Sequence, residues 1–226
     1  DDISRAVESA RTLAVIPHER RILHVLPREF MVDDQEGVRE PLGMSGNRLE
    51  VNVHVITGAV TSAQNIIKSV NRAGLDVVDI ILQPLASSEA VLSAEERELG
   101  VAMVDLGGGT TDLAIFLDGS IRHTAVLPIG GQNLTKDLAI GLLTSQTDAE
   151  KIKVQHGIAR TELVHGHQMV EVPSVGDRPP RQFTRRDIAE ILEPRVEEMF
   201  DLVKREIVRA GYEGMLGAGV VITGGT

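Results

Sequence analysis

The stretch from Val101 to Phe116, VAMVDLGGGTTDLAIF, limits what this chain can build. Two apolar runs of strand length are separated by three consecutive glycines, with aspartates and threonines around them. A Walker loop ends in Gly-Lys-Ser/Thr and enters a helix, and a dinucleotide fingerprint likewise feeds a helix N-terminus. Here Leu113-Ala114-Ile115-Phe116 continues as a strand, so the geometry is strand, glycine turn, strand. The tip of such a hairpin exposes backbone N–H groups, and glycine lets a phosphate approach closely. Thr110 and Thr111 add hydroxyl donors. Asp105, at the end of the incoming strand, is placed to hold Mg2+ through its water shell, since magnesium keeps several waters and takes few carboxylates. The competing reading is an ordinary hairpin turn in which glycine supplies positive φ. The full pattern D-x-G-G-G-T-T-D between two apolar strands favours the phosphate site.

Composition narrows the partners. The 33 acids against 23 bases give a net charge of -10, which argues against nucleic acid, because phosphate-backbone binding needs a Lys/Arg surplus. With no cysteine, disulfides and thiolate metal sites are excluded, and the chain suits a reducing compartment such as the cytoplasm. No run of about 18 apolar residues occurs, nor a charged-then-apolar leader. The sequence opens at Asp1 and closes on Val220-Val221-Ile222-Thr223-Gly224-Gly225-Thr226, a strand and a glycine turn, and so reads as a piece of a longer protein.

Along the chain, Ile3, Val7, Ala10 and Ala14 are spaced as a helix over 3–16 with Asp2 as N-cap. A strand is expected over 21–26, and the alternation of Leu49, Val51, Val53 and Val55 with polar residues predicts a half-buried one. Thr61 with Gln64 reads as the capping box of a helix ending at Gly74. Residues 77–82, apolar and β-branched, predict a strand buried on both faces. Further on, a helix is expected over 86–92, a strand over 121–128, helices over 133–143 and 148–156, and a hairpin region over 162–175. The longest helical pattern opens with Thr184 as N-cap and Asp187 three residues on, and Pro194 is expected to kink or split it. There is no tandem repeat, only an echo between VDLGGGT and VITGGT.

DLGGGTTD resembles the second phosphate motif of the actin, heat-shock chaperone and sugar kinase ATPase superfamily. Within it the chain resembles the FtsA family of bacterial cell-division proteins in many segments taken in the family's order. These are RILHVLPREFMVDDQEGVREPLGMSGNRLEVNVHVITGA, ILQPLASSEAVL, ERELGVAMVDLGGGTTDLAIF, IRHTAVLPIGG, DAEKIKVQHG, VEVPSVGDRPPR and VVITGGT. The resemblance implies a partial α/β fold of the actin-like, ribonuclease H-like type, with an inserted small α+β subdomain of the SHS2 type. It implies three parts: 1–75 as the inserted subdomain, 76–145 with 215–226 as the base of the second lobe, and 146–214 as that lobe's outer subdomain.

By the same resemblance ATP and Mg2+ are the cofactors. Asp105 is the magnesium-water aspartate, and Gly107, Gly108, Gly109, Thr110 and Thr111 lie at the β- and γ-phosphates. Gln83 falls where relatives orient the attacking water. Glu150 and Lys153 border the ribose and base, and Gly224, Gly225 and Thr226 begin the adenosine motif. The family's N-terminal phosphate loop and C-terminal amphipathic membrane helix have no counterpart here, so weak ATP binding or none is expected of this chain alone. The implied role is a slow ATP switch that polymerises and links filaments of the tubulin-like FtsZ to the inner face of the cytoplasmic membrane at the septum, alongside other division proteins. The alternatives are another actin-like assembly protein of the pilus or rod-shape kind, or a kinase of this fold, which would need an acceptor pocket with a catalytic Asp.

Several residues carry two readings. Arg178-Pro179-Pro180-Arg181 is either a proline-stiffened solvated loop or, by resemblance, part of a filament contact at Arg181. Arg195 and Glu198, three apart on one helix, are either an isolated ion pair or, by resemblance, contacts for the FtsZ tail. His165 and His167 would share a strand face, but without a third ligand they read as exposed hairpin residues. His24, His54 and His123 sit within strands, and Met31 and Met44 read as packing residues in loops.

Overall fold

The computed structural model describes residues 1–176 and 178–226. The first elements are helix α1 (Asp2–Leu13), strands β1 (Arg20–Val32), β2 (Gln35–Val38) and β3 (Leu49–Ala59), and helix α2 (Val60–Arg72). Two short helices follow, α3 (Gln83–Val91) and α4 (Ala94–Leu99), then strands β4 (Val101–Leu106), β5 (Thr111–Leu117) and β6 (Ser120–Leu127). Helices α5 (Gly131–Gly141) and α6 (Gln146–His156), strands β7 (Met169–Val172) and β8 (Arg181–Thr184), helix α7 (Arg185–Arg209) and strand β9 (Gly219–Gly224) complete the chain.

These elements divide into two compact units. The first comprises Asp1–Met103, Ala114–Thr124 and Met215–Val221, and the second comprises Val104–Leu113, Ala125–Gly214 and Ile222–Thr226. Strands β4, β5, β6 and β9 form one sheet in the order β6-β5-β4-β9 and contribute residues to both units. β4 and β5, the two inner strands, are buried almost throughout, which is why their sequences run apolar instead of alternating.

In the first unit β1 lies between β2 and β3 and pairs antiparallel with both, and α1 packs against β3. Asp1, not Asp2, caps α1 by accepting from the Ser4 amide at 2.8 Å. The small core here is Phe30, Val32 and Val38, with Ile3, Leu49 and Val51 against it. Met31 lies on β1 instead of in a loop, and Met44 is exposed. The Thr61 capping box does not form. β3 runs hydrogen-bonded to Ala59, the helix starts at once, and its first amide, that of Val60, donates to the Glu19 carbonyl at 2.9 Å. Gly74 takes the left-handed conformation (φ 80°) just past the helix, as expected of a glycine stop.

Residues 77–82 form no strand. Val78 is 99% exposed, and the amides of Ile80 and Leu82 donate to the side chains of Asp79 and His24, not to a ladder. Apolar, β-branched content makes a strand only where a neighbouring edge supplies hydrogen bonds, and among the described residues none pairs with this stretch. The acidic run Glu95–Glu98 instead lies in α4, held by a reciprocal capping box between Ser93 and Glu96.

His54 on β3 has both ring nitrogens engaged: Arg28 donates to Nδ1 at 3.1 Å, and Nε2 faces the Thr124 hydroxyl at 3.2 Å. An arginine can only donate, so the ring is neutral with its proton on Nε2. Burial, then the charges of Arg28 and His123, push its pKa down from 6.5 to about 4. In the unfolded chain the ring protonates near 6.5, so between those values the unfolded state binds more protons. Stability is therefore expected to fall as pH drops from about 6.5 toward 4. His54→Gln, which cannot titrate, should shrink the loss of melting temperature between pH 7 and pH 5; an unchanged difference would assign that loss to other groups.

The second unit holds the larger core. Leu138 of α5 and Leu142 just past its end, Ile188 and Leu192 of α7, Ile152 of α6 and Val172 of β7 pack together, and α5 contacts both α6 and α7. α7 opens as expected: the Thr184 side chain accepts from the Asp187 amide while Asp187 accepts from the Thr184 amide. It is a single 25-residue helix with Pro194 inside it, so the proline does not split it. The hairpin region resolves into β7 paired antiparallel with β8, and His165 and His167 lie in the segment before β7, on no strand. No helix among the described residues is long and apolar enough to cross a membrane.

Candidate functional site

The glycine turn, Gly107 to Thr110, joins β4 to β5 and is closed by the Gly107 amide donating to the Thr110 carbonyl at 2.9 Å. None of its three glycines has a positive φ, so the turn does not use them as an ordinary hairpin would. A Cβ at Gly107 would come within 3.1 Å of the Thr110 carbonyl, whereas one at Gly109 would meet nothing within 4 Å. Gly109 is thus bare where neither backbone conformation nor packing requires it, which leaves open space at the tip.

The turn is braced from two directions. The first turn of α5 donates to it, Gly131 N to the Gly107 carbonyl at 3.0 Å and Gln132 N to the Gly108 carbonyl at 2.7 Å. The end of β9 comes in as well: the Thr226 hydroxyl donates to the Gly107 carbonyl at 3.0 Å. These contacts need small residues. A Cβ at Gly130 would sit 2.4 Å from the Gly107 carbonyl oxygen, and one at Gly224 2.3 Å from that of Leu106. The echo between the two glycine motifs is therefore spatial, because both turns meet at the head of α5.

Asp105 on β4 and Asp112 on β5 flank the turn, each only 5% exposed. Asp112 accepts from the Thr110 hydroxyl at 3.0 Å, yet its pKa is raised, first by burial and also by the negative charge of Asp105, with the Thr110 hydrogen bond opposing. Two buried carboxylates that feel each other fit a divalent cation, which relieves their repulsion. Asp112 stands in the motif itself, but no spacing or residue pattern singles it out from the threonines beside it. Thr111 is fully buried and donates its hydroxyl to the Ile129 carbonyl at 2.8 Å, so that side chain fastens β5 to the loop before α5.

Glu150 and Lys153 on α6 form a network with α5. The Lys153 ammonium pairs with Glu150 at 2.9 Å and donates to the Gly131 carbonyl at 3.2 Å and the Thr135 hydroxyl at 3.1 Å. Thr135 in turn donates to Glu150. The lysine, then the threonine, holds the Glu150 carboxyl below its usual pKa. Beside this network opens a cavity of about 450 Å3, whose lining includes Gly225, Thr226, Leu134, Val196, Met199 and Phe200. It is apolar, of a size for a planar base and sugar, and reaches the glycine turn through Leu106 and Thr226. The α7 walls lie some ninety positions from the turn in the chain, so no local motif announces them.

The remaining candidates lie on other elements. Gln83 is the exposed first residue of α3, in the first unit. Arg181 donates to the carbonyls of Leu142 and Leu143 at the end of α5 and stacks 5.4 Å over Phe183. Arg195 forms a two-pronged pair with Asp137, at 2.6 and 3.2 Å, and also bonds Glu198. Among the described residues no group of three or more His, Cys, Asp or Glu could hold a metal ion, and His165 and His167 gain no third ligand.

A profile described as "Cell division protein FtsA" matches residues 102–225, and one described as "SHS2 domain inserted in FTSA" matches residues 1–57. The cell division protein FtsA of Pseudomonas aeruginosa is 53% identical over 225 residues, covering 100% of this chain and 54% of its own length. That of Escherichia coli K12 is 45% identical over 232 residues, covering 100% and 55%. The chain thus spans about half the length of these relatives. Among solved structures, a PilM–PilN type IV pilus biogenesis complex aligns over 99% of the chain and 55% of its own, with a TM-score of 0.63 and 17% identity. MreB5 of Spiroplasma citri bound to AMPPNP aligns over 74% and 54%, with a TM-score of 0.56 and 22% identity. These neighbours establish the fold as actin-like, with an SHS2 domain at residues 1–57. With a family profile over more than half of its residues and an α/β architecture shared with actin-like proteins, the chain belongs to the FtsA family of cell-division proteins.

Proposed function

We propose that this chain carries half of an MgATP site of an actin-like division scaffold, which polymerises and ties FtsZ filaments to the cytoplasmic membrane at the septum. The observation that carries the reading is the braced glycine turn, open at Gly109 and continuous with the apolar cavity beneath Thr226. In it the turn's amides receive the β- and γ-phosphates, and Glu150 and Lys153 border the sugar. Asp105 holds Mg2+ through its water shell, with Asp112 close behind. When bound, the ion offsets the phosphate charge. Gln83 orients the attacking water. The solved MreB5 relatives with ADP and AMPPNP bound support a nucleotide in this fold.

On this reading the chemistry is a switch and not metabolic turnover. Residues 1–75 form the inserted subdomain, 76–145 with 215–226 the base, and 146–214 the outer subdomain. Arg195 and Glu198 take the FtsZ tail, and Arg181 lies nearer the filament contact. Membrane attachment belongs to the amphipathic helix that the family resemblance places outside this stretch.

The test is titration of a fluorescent ATP analogue with and without Mg2+, followed by co-sedimentation with FtsZ filaments. Saturable, Mg2+-dependent binding with pelleting that requires Glu198 supports the proposal. Turnover of ATP onto a small-molecule acceptor, with no pelleting, would replace it with a kinase.

A further inference from the structure

Helix α5 meets the nucleotide site at one end and α7 forms its wall, and one charged contact spans the two. Gly131 and Gln132 of α5 hold the carbonyls of the glycine turn. About one and a half turns further on, Asp137 receives two hydrogen bonds from Arg195, Nε to Oδ2 at 2.6 Å and Nη2 to Oδ1 at 3.2 Å. Asp137 lies three residues beyond Leu134, and Arg195 falls between Leu192 and Val196; Leu134, Leu192 and Val196 all line the cavity. The pair therefore joins the cavity-facing sides of the two helices. Both side chains are more than two-thirds buried, so the pair is less screened than a surface bridge, and Glu198 bonds the same guanidinium and fixes its plane.

We infer that Asp137 and Arg195 are positioning residues for the nucleotide: their pair sets the distance between the glycine turn, braced by α5, and the base wall, carried on α7. A ligand that bridges turn and cavity is held tightly only if both ends are in place before it arrives, and a small displacement is felt as lost affinity. The inference rests on the nucleotide-site reading above. It gives Arg195 work inside the molecule that the spacing with Glu198 did not show.

The test uses full-length protein containing this chain, well below its melting temperature, with MgATP as the probe, in wild type, Asp137→Arg, Arg195→Asp and the exchanged double variant Asp137→Arg/Arg195→Asp. Each single variant is expected to keep a native circular dichroism spectrum and to raise the Kd for MgATP about tenfold, and the exchange should bring it back to within about threefold of wild type. A lower melting temperature with an unchanged Kd would show the pair to be merely structural and overturn the inference. So would a raised Kd that the exchange fails to restore. Absence of MgATP binding in wild type would remove the nucleotide-site reading itself, and the inference with it.

Discussion

Asp105→Asn is expected to lose Mg2+-dependent ATP binding while the nucleotide-free protein melts no lower than wild type. The two halves of this result have one cause. Asp105 and Asp112 are both almost wholly buried beside the glycine turn, and the negative charge of Asp105 disfavours that of Asp112. Asparagine keeps the shape and removes one of the two charges, so the repulsion within the empty site falls. On the proposed reading the same change removes the carboxylate that would organise the water shell of the ion, a loss of about 10- to 100-fold for an outer-sphere contact. In EDTA the sign should reverse, because ATP then meets one negative charge fewer. Titrations with Mg2+ and with EDTA, together with a melting curve, check all three parts. A variant that melts well below wild type would show Asp105 to be a structural residue.

Leu138→Ala should carry the largest cost to stability. Leu138 is fully buried on α5, inside the cluster that α5, α6, α7 and β7 share. Removing its three outer carbons forfeits their transfer energy and leaves a cavity that helices packed from several sides cannot close, at a cost of about 2–5 kcal/mol. Urea unfolding should show an earlier midpoint with little change in slope. Leu138→Met, which nearly conserves volume, should cost less than about 1.5 kcal/mol. Equal shifts for the two variants would mean that packing at this position does not matter.

Much of this was legible in the chain, for physical reasons that differ by segment. The glycine hairpin announced itself because two apolar runs of strand length are separated by a glycine stretch too short for anything but a turn. The start of α7 was readable because Thr184 and Asp187 satisfy each other's amides within one turn. Thr61 and Gln64 have the same pattern, yet no capping box forms, because β3 runs on to Ala59 and the Val60 amide finds Glu19 first. Residues 77–82 look like a buried strand because side-chain type is local, while a ladder needs an edge from elsewhere. Phe200 and Met199 become cavity walls, and Asp137 becomes the partner of Arg195, only once α5 and α7 lie together.

The glycines around the turn also bear on how such a sequence can drift. Gly130 and Gly224 are pinned by carbonyl oxygens that leave no room for a methyl group, so selection for folding alone would hold them fixed. Gly109 has no such constraint: its conformation is ordinary and the space beside it is empty. A lineage that kept the fold but abandoned its ligand would be free to change Gly109 while retaining the other two. On the proposed reading, the fate of that single position separates descendants that still use the site from those that have only inherited its shape.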